Sequence, residues 1–259
     1  MKIATWNVNS LKVRLPHLLE WLAAHQIDVV CLQETKLVDE NFPVEALAAA
    51  GYDSAFAGQK TYNGVALLTR RAATLGAAEV VTALPGLDDP QKRLIAANIG
   101  GLRIVCAYFP NGQSVGSDKY DYKMRWIEAL IAWLRDELAR HPQVVLAGDF
   151  NIAPEERDVH DPKAWEGQVL FSERERQAFR DLLALGLVDS FRLFDQPERS
   201  YTWWDYRMMA FRRKMGLRID HVLLSAALAP RCTACTIDIE PRRREQPSDH
   251  APVIVTLDP

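Results

Sequence analysis

The chain has 259 residues, 48 % hydrophobic and 25 % charged, the balance of a globular protein that can bury a sizeable core in one large domain or two small ones. A net charge of −3 argues against a protein that coats nucleic acid along its length, but not against an enzyme that touches DNA over one patch. The start MKIATWNV carries no apolar signal core, and no apolar run is long enough to span a bilayer, so a cytoplasmic protein without a membrane segment is expected.

In chain order, KIATW (2–6) reads as a buried strand. A helix is expected to begin near Pro16, a good first-turn residue, with Leu15, Leu18, Leu19 and Leu22 on one face. Strands follow at DVVCLQ (28–33), GVALLTR (64–70), RLIAANI (93–99) and LRIVCAYF (102–109), the last two joined by the hairpin signal Gly100-Gly101. Residues 119–140 form the longest helix candidate, with Met124, Ile127, Leu130, Ile131, Leu134 and Leu138 at helical spacing. QVVLAG (143–148) is a strand buried on both faces. Ser172 and Glu175 form a capping box for a helix that Gly186 ends. RIDHVLL (218–224) and PVIVTL (252–257) are the closing strands. Cys31 and Cys106 lie in apolar runs, where a buried free thiol is the default, and Cys232 and Cys235 form a C-x-x-C without the second ligand pair that zinc needs. No linker or shift in composition divides the chain, so a single domain over 1–259 is favoured. About ten strands and three or four helices fit two packed sheets with helices outside.

Several of these strands end in polar residues that make no sense as core. KIATW runs into Asn7 and Asn9, DVVCLQ into Glu34, QVVLAG into Asp149 and Asn151. The RI of RIDHVLL leads into Asp220-His221, and Ser248-Asp249-His250 stands just before the last strand. Repeated delivery of carboxylates and amides to strand ends points to a shared pocket. Glu34 and Asp249 are hard oxygen ligands, and Asn7 can add a carbonyl oxygen, a set that suits Mg²⁺ or Mn²⁺. His250 beside an acid is a candidate charge-tuned imidazole. Taken singly, each has a bland reading: Asn7 as a turn former, Glu34 as a helix-start acid, G-D-F-N as a turn, S-D-H as a cap. Together, in this order, they are not independent.

Eight stretches spread over nearly the whole chain resemble one family: T-W-N-V-N-S (5–10), L-Q-E-T-K (32–36), G-V-A-L-L-T (64–69), A-Y-F-P-N-G (107–112), G-D-F-N-I-A-P (148–154), Y-T-W-W-D-Y-R (201–207), G-L-R-I-D-H (216–221) and P-S-D-H-A-P (247–252). The chain resembles the exonuclease III group of apurinic/apyrimidinic endonucleases, within the endonuclease/exonuclease/phosphatase superfamily. The resemblance implies an α/β four-layer sandwich, two packed mixed β-sheets flanked by helices, and Mg²⁺-dependent phosphodiester hydrolysis in which Mn²⁺ substitutes. Its expected partner is double-stranded DNA with abasic sites or blocked 3′ ends, bound by a monomer. Carried over by position, Glu34 is the principal metal ligand, with Asn7 and Asp249 near the ion and Asp149 and Asn151 available to a second. Asp149 handles the proton of the attacking water or the leaving oxygen. Asn151 orients water or phosphate, and His250, paired with Asp220, faces the scissile phosphate. Tyr108 and Asn111 contact that phosphate, while Trp203, Leu217 and Ile219 wall a pocket for a base-free sugar. Arg212, Arg213, Lys214 and Arg218, beside that pocket, are read as phosphate contacts. Arg242, Arg243 and Arg244 are read as a solvated face. Met208 and Met209 read equally as a wedge into DNA or as a surface loop, and the 155–171 loop as variable.

Two other readings remain open. A superfamily phosphoesterase of the inositol-phosphate phosphatase or sphingomyelinase type shares L-Q-E, G-D-F-N and S-D-H, but W-W-D-Y-R beside G-L-R-I-D argues against it. A non-catalytic DNA-binding relative is disfavoured by the complete set of acids, amides and histidine.

Overall fold

The computed structural model describes residues 1–73 and 75–258. Its strands are β1 (Lys2–Asn7), β2 (Val29–Gln33), β3 (Tyr52–Ala57), β4 (Val65–Arg70), β5 (Ala77–Val81), β6 (Leu94–Ile99), β7 (Leu102–Tyr108), β8 (Val144–Asp149), β9 (Leu187–Asp189), β10 (Asp220–Ser225), β11 (Cys232–Ile237) and β12 (Val253–Leu257). Its α-helices are α1 (Leu11–His25), α2 (Val44–Ala49), α3 (Asp118–Arg140), α4 (Pro162–Trp165) and α5 (Glu173–Ala184). One six-stranded sheet has the order β11-β12-β1-β2-β4-β3 and the other β5-β6-β7-β8-β10-β9. Each is antiparallel apart from one central parallel pair, β1 with β2 and β7 with β8.

Side chains alternate between the two faces of a strand, and that period sorts the core into layers. Ile3, Val29, Cys31 and Leu67 of the first sheet meet Ile104, Cys106, Val145, Ala147, Val222 and Leu224 of the second. The opposite parity, Ala4, Trp6, Val30 and Leu32, packs beneath Leu18, Trp21 and Leu22 of α1. Val105, Ala107, Leu146 and Leu223 pack beneath Trp126, Ile127 and Leu130 of α3 and Phe179 of α5. The result is helix, sheet, sheet, helix, the expected four-layer sandwich.

Most predicted elements appear with ends shifted by a residue or two. Ser117 caps α3, and the Ser172–Glu175 capping box opens α5. The first helix differs. It begins at Leu11, with Pro16 inside it. A proline inside a helix costs about 3 kcal/mol. The turn before it is held by the Leu11 and Arg14 amides, which donate to Thr35 and Ser10 carbonyls, and by full burial of Leu11, which contributes about 2 kcal/mol. Strands β3, β5, β9 and β11 were not anticipated. All lie at sheet edges, and β5 is almost entirely exposed. Cys31 and Cys106 are buried free thiols as expected, and Cys232 and Cys235 are free on β11. Among the described residues no helix is long and apolar enough to cross a membrane.

A buried charge network lies under the second sheet. Arg218 donates from Nε to Asp158 at 2.7 Å and from Nη2 to Asp189 at 2.8 Å. Its Nη1 lies 3.1 Å from His221 Nδ1, while His221 Nε2 lies 2.8 Å from the Ile152 carbonyl. Arginine can only donate, so Nδ1 accepts and Nε2 carries the single ring proton. Burial, then the Arg218 charge, lowers the His221 pKa to about 3. The unfolded chain therefore takes up a proton that the fold refuses. Stability present above about pH 6.5 is lost progressively as pH falls toward 3, with a slope of about one proton. Urea midpoints measured across that range should show this slope, and His221→Asn should remove it. An unchanged slope in the variant would assign the acid sensitivity to other groups.

Candidate active site

The inward parity that carries Ile3, Cys106, Ala147 and Val222 also carries the polar residue ending each strand. Asn7 closes β1, Tyr108 closes β7 and Asp149 closes β8. Asp220 opens β10, which runs antiparallel to β8, so Asp220 stands opposite Asp149. His250 precedes β12, which runs antiparallel to β1. All five therefore emerge at one end of the gap between the sheets. Gly148 lets β8 run close to β7, since a Cβ there would lie 1.8 Å from the Ala107 carbonyl oxygen.

Asn7 Nδ2 bridges two carboxylates, donating to Glu34 Oε1 at 2.8 Å and to Asp149 Oδ2 at 2.9 Å. Tyr108 donates its hydroxyl to the same Glu34 oxygen at 2.9 Å, and Lys36 Nζ lies 2.8 Å from Glu34 Oε2. Asp149 Oδ1 accepts from the Asn151 backbone at 2.9 Å. The Asn151 side chain donates to the Phe109 carbonyl at 3.0 Å and accepts from Asn111 Nδ2 at 3.1 Å. His250 Nδ1 is 2.8 Å from Asp220 Oδ2, leaving Nε2 3.7 Å from Asp149 Oδ2. Ligand atoms of Glu34, Asp149 and His250 lie within 4.8 Å of one another, an arrangement that could hold a metal ion.

These contacts set the charge states. Burial is the largest influence on Asp149 and raises its pKa to about 7. The nearby Asp220 and Glu34 add to the rise, while His250 and the Asn7 hydrogen bond oppose it. Burial alone would lower His250, but Asp220 and then Asp149 outweigh it and push its pKa up to about 10. Burial would raise Glu34, but Lys36, then Asn7, hold it below the usual carboxylate range. Burial, then Glu34 and Asp149, raises the Tyr108 phenol, so it is a neutral donor. Three acids share this gap with one imidazole and one ammonium. A dication there relieves the repulsion that lifts Asp149, and hard oxygen donors suit it.

The remaining expected residues divide. Asp249 stands aside from the cluster, with Oδ1 accepting from Asn9 and Oδ2 from Trp203 Nε1, both at 2.9 Å. Trp203, Leu217 and Ile219 come together next to His250 through the bridges Trp203–Leu217 and Trp203–His250. Leu217 and Ile219 are sealed, however, packed with Val159, Leu170 and Phe171, so only the half-buried Trp203 presents surface. Arg212, Arg213 and Lys214 are exposed. Arg218 is not: at 1 % exposure and paired with two aspartates, it cannot reach a phosphate. The alternation of the strand it precedes turns it inward. Arg242 is likewise buried rather than solvated. Met208 and Met209 are exposed, and the 155–171 loop is tied down through Asp158.

Several supporting residues were missed. Lys36 neutralises Glu34 and also reaches Asn9 Oδ1 at 2.5 Å. Thr202 Oγ1 accepts from the Ile219 and Asp220 amides, and Ser248 Oγ donates to the Asn7 carbonyl at 2.7 Å. The fully buried Lys123, ion-paired with Glu175, donates to the carbonyls of Asn151 at 2.7 Å and Asn111 at 3.2 Å, so one ammonium sets both asparagine loops. Lys36, Thr202 and Ser248 lie inside the motif stretches, which was the available signal. Lys123 carried none, because a lysine within a helix reads as solvent-facing.

Residues 4–250 match the model of the Endonuclease/Exonuclease/phosphatase family. The chain is 36 % identical to exodeoxyribonuclease III of Haemophilus influenzae, over 98 % of each chain. Among solved structures, it is similar to a 3′ phosphatase from Neisseria, NExo, bound to a product DNA hairpin, with 47 % identity and a TM-score of 0.96 over 100 % of this chain and 99 % of that one. It is also similar to an AP endonuclease from Archaeoglobus fulgidus, with 39 % identity and a TM-score of 0.95 over all of both chains.

Proposed function

Because the chain belongs to the endonuclease/exonuclease/phosphatase family, in its exonuclease III branch, we propose that it is a DNA-repair phosphodiesterase. It cuts duplex DNA 5′ to an abasic site and clears nucleotides, phosphates and sugar fragments from 3′ ends, using Mg²⁺ with Mn²⁺ as a substitute. The observation that carries this reading is the convergence of Glu34, Asp149 and His250 within 4.8 Å, beside the donors Tyr108 and Asn151.

The cation would be held by Glu34 and Asp149 with Asn7 alongside, and it supplies positive charge against the phosphate. Asp149 handles the proton of the attacking water or of the leaving oxygen; its pKa of about 7 belongs to the metal-free site, and the cation it helps hold would favour its ionised form. His250, kept protonated and oriented by Asp220, offers Nε2 to a phosphate oxygen. Tyr108, Asn111 and Asn151 donate to the other oxygens. Asp249 acts by orienting Trp203 through the indole N–H. Trp203 meets the sugar face, with Leu217 and Ile219 as its backing, and Arg212, Arg213 and Lys214 reach the flanking phosphates. A site with no partner for a base edge favours a nucleotide that has no base pair to break.

A substrate panel tests the proposal: abasic-analogue duplex, 3′-phosphate duplex, blunt duplex and single strand, each with Mg²⁺ and with EDTA. Incision of the first and dephosphorylation of the second, both lost in EDTA, are expected. An intact abasic duplex together with untouched 3′ ends would sink the reading. Trp203→Ala should lower abasic-site incision by about tenfold or more, and 3′-phosphate removal by much less, because only the first must seat an internal sugar. Equal losses would remove Trp203 from sugar recognition.

A further inference from the structure

Arg242 is a buried arginine on which the Asp249 carboxylate acts without pairing with it. It lies between β11 and the Ser248–His250 segment, is 7 % exposed, and has no ion pair among the described residues. Its guanidinium centre is 5.2 Å from the ring of Tyr206 and 5.1 Å from that of Phe211, and Nη2 donates to the Trp204 carbonyl at 3.3 Å. Nε is buried without a partner. Arginine stays charged in a protein, and a buried unpaired charge costs several kcal/mol, of which two aromatic faces return about 1–2. Such a residue is kept where something else supplies the anion.

A cleft beside Arg242 has room for that anion. Arg242 lines a cleft of about 400 Å³ together with Arg212, Arg243, Arg244, Asp205, Tyr206, Met209 and Phe211. Asp205 is already paired with Arg207. Arg243 and Arg244 are paired only on the exposed surface, with Glu240 and Glu20, and exposed pairs exchange at little cost. Four arginines thus line this cleft in a chain whose net charge is −3. It borders Pro247, which leads into Ser248-Asp249-His250, and Tyr206, in the loop that carries Trp203.

We propose that this cleft is a backbone-phosphate site for the duplex, with Arg242 as its buried anchor and Arg212 as its exposed partner. The inference rests on the DNA reading above and adds a contact away from the reacting phosphate. The guanidinium of Arg242, held between two rings and by the Trp204 carbonyl, is fixed in direction for an anion that enters the cleft.

The test is Arg242→Met, which keeps a flexible apolar stem between the rings and removes the charge. In EDTA, where nothing is cut, the variant should bind a labelled abasic duplex about tenfold more weakly at low salt, and the slope of log affinity against log salt should fall by about one. With metal and saturating duplex, turnover should stay within about twofold. Its melting temperature should be no lower than that of the parent, since an unpaired buried charge has gone. One neutral methylphosphonate linkage in a positional series should weaken the parent and leave Arg242→Met unaffected. An unchanged salt slope, with no linkage that distinguishes the two proteins, overturns the proposal. So does stabilisation of the parent alone by inorganic phosphate when duplex affinities are equal, which would mark a free-anion site. If Arg242→Met does not fold, Arg244→Ala, on the rim of the same cleft and outside the contacts assigned above, must show the reduced slope, and failure there is also decisive. A parent protein that neither binds nor cuts any DNA would instead overturn the functional reading itself.

Discussion

An Asp149→Asn protein binds abasic duplex as the parent does and cuts it about 10³- to 10⁴-fold more slowly, the loss expected when a proton-transfer group acts mainly in the transition state. The substitution keeps shape and volume where volume is critical, since Asp149 is 1 % exposed and sits beside Gly148. It keeps one acceptor oxygen, enough for the Asn151 amide or for Asn7 Nδ2 but not for both, and turns the other position into a donor. What it removes is a carboxyl that burial makes reluctant to ionise until the cation arrives, and that then handles the proton of the reacting oxygen. Single-turnover rates and duplex affinity, measured separately, decide the matter. A matching loss in affinity, or turnover within tenfold of the parent, would take the proton-transfer role from Asp149.

The second large loss is expected from His250→Gln, about 10²- to 10⁴-fold in turnover. Here two effects must be separated. His250 is the cation between Asp220 at 2.8 Å and Asp149 at 3.7 Å, so its removal leaves buried acids uncompensated. Its pKa is raised from 6.5 to about 10, so the stability it contributes is fully present below about pH 6.5 and is lost as pH rises through 10. The variant should therefore melt below the parent at neutral pH, with the gap narrowing toward pH 10. The kinetic loss should persist at temperatures where both proteins are fully folded. Recovery of turnover there would assign His250 to folding alone.

The alternation of side chains made much of this legible before any coordinates. Buried runs such as DVVCLQ and QVVLAG can only be strands covered on both faces, and their polar ends, Glu34 and Asp149, stood out because a core has no use for them. Helix α3 was readable from its apolar spacing and α5 from its capping box and Gly186. Pro16 misled, because a local start signal was outweighed by the burial of Leu11. The edge strands were invisible, since half-exposed strands need no apolar run.

Sequence by itself picked out the polar residues at the strand ends, because parity along a strand is a local property; the pairing of the strands then sends Asn7, Tyr108, Asp149 and Asp220 to the same end of the gap. Only the tertiary structure decided which charges are free to act. Arg218 and Arg242 look alike in the chain, both basic residues beside other basic residues. Arg218 is spent on Asp158 and Asp189, whereas among the described residues Arg242 forms no ion pair and feels Asp249 only without pairing with it. The reason is physical: a charge is defined by its partners, and those partners lie 29 to 60 residues away for Arg218 and 38 for the single carbonyl that Arg242 reaches.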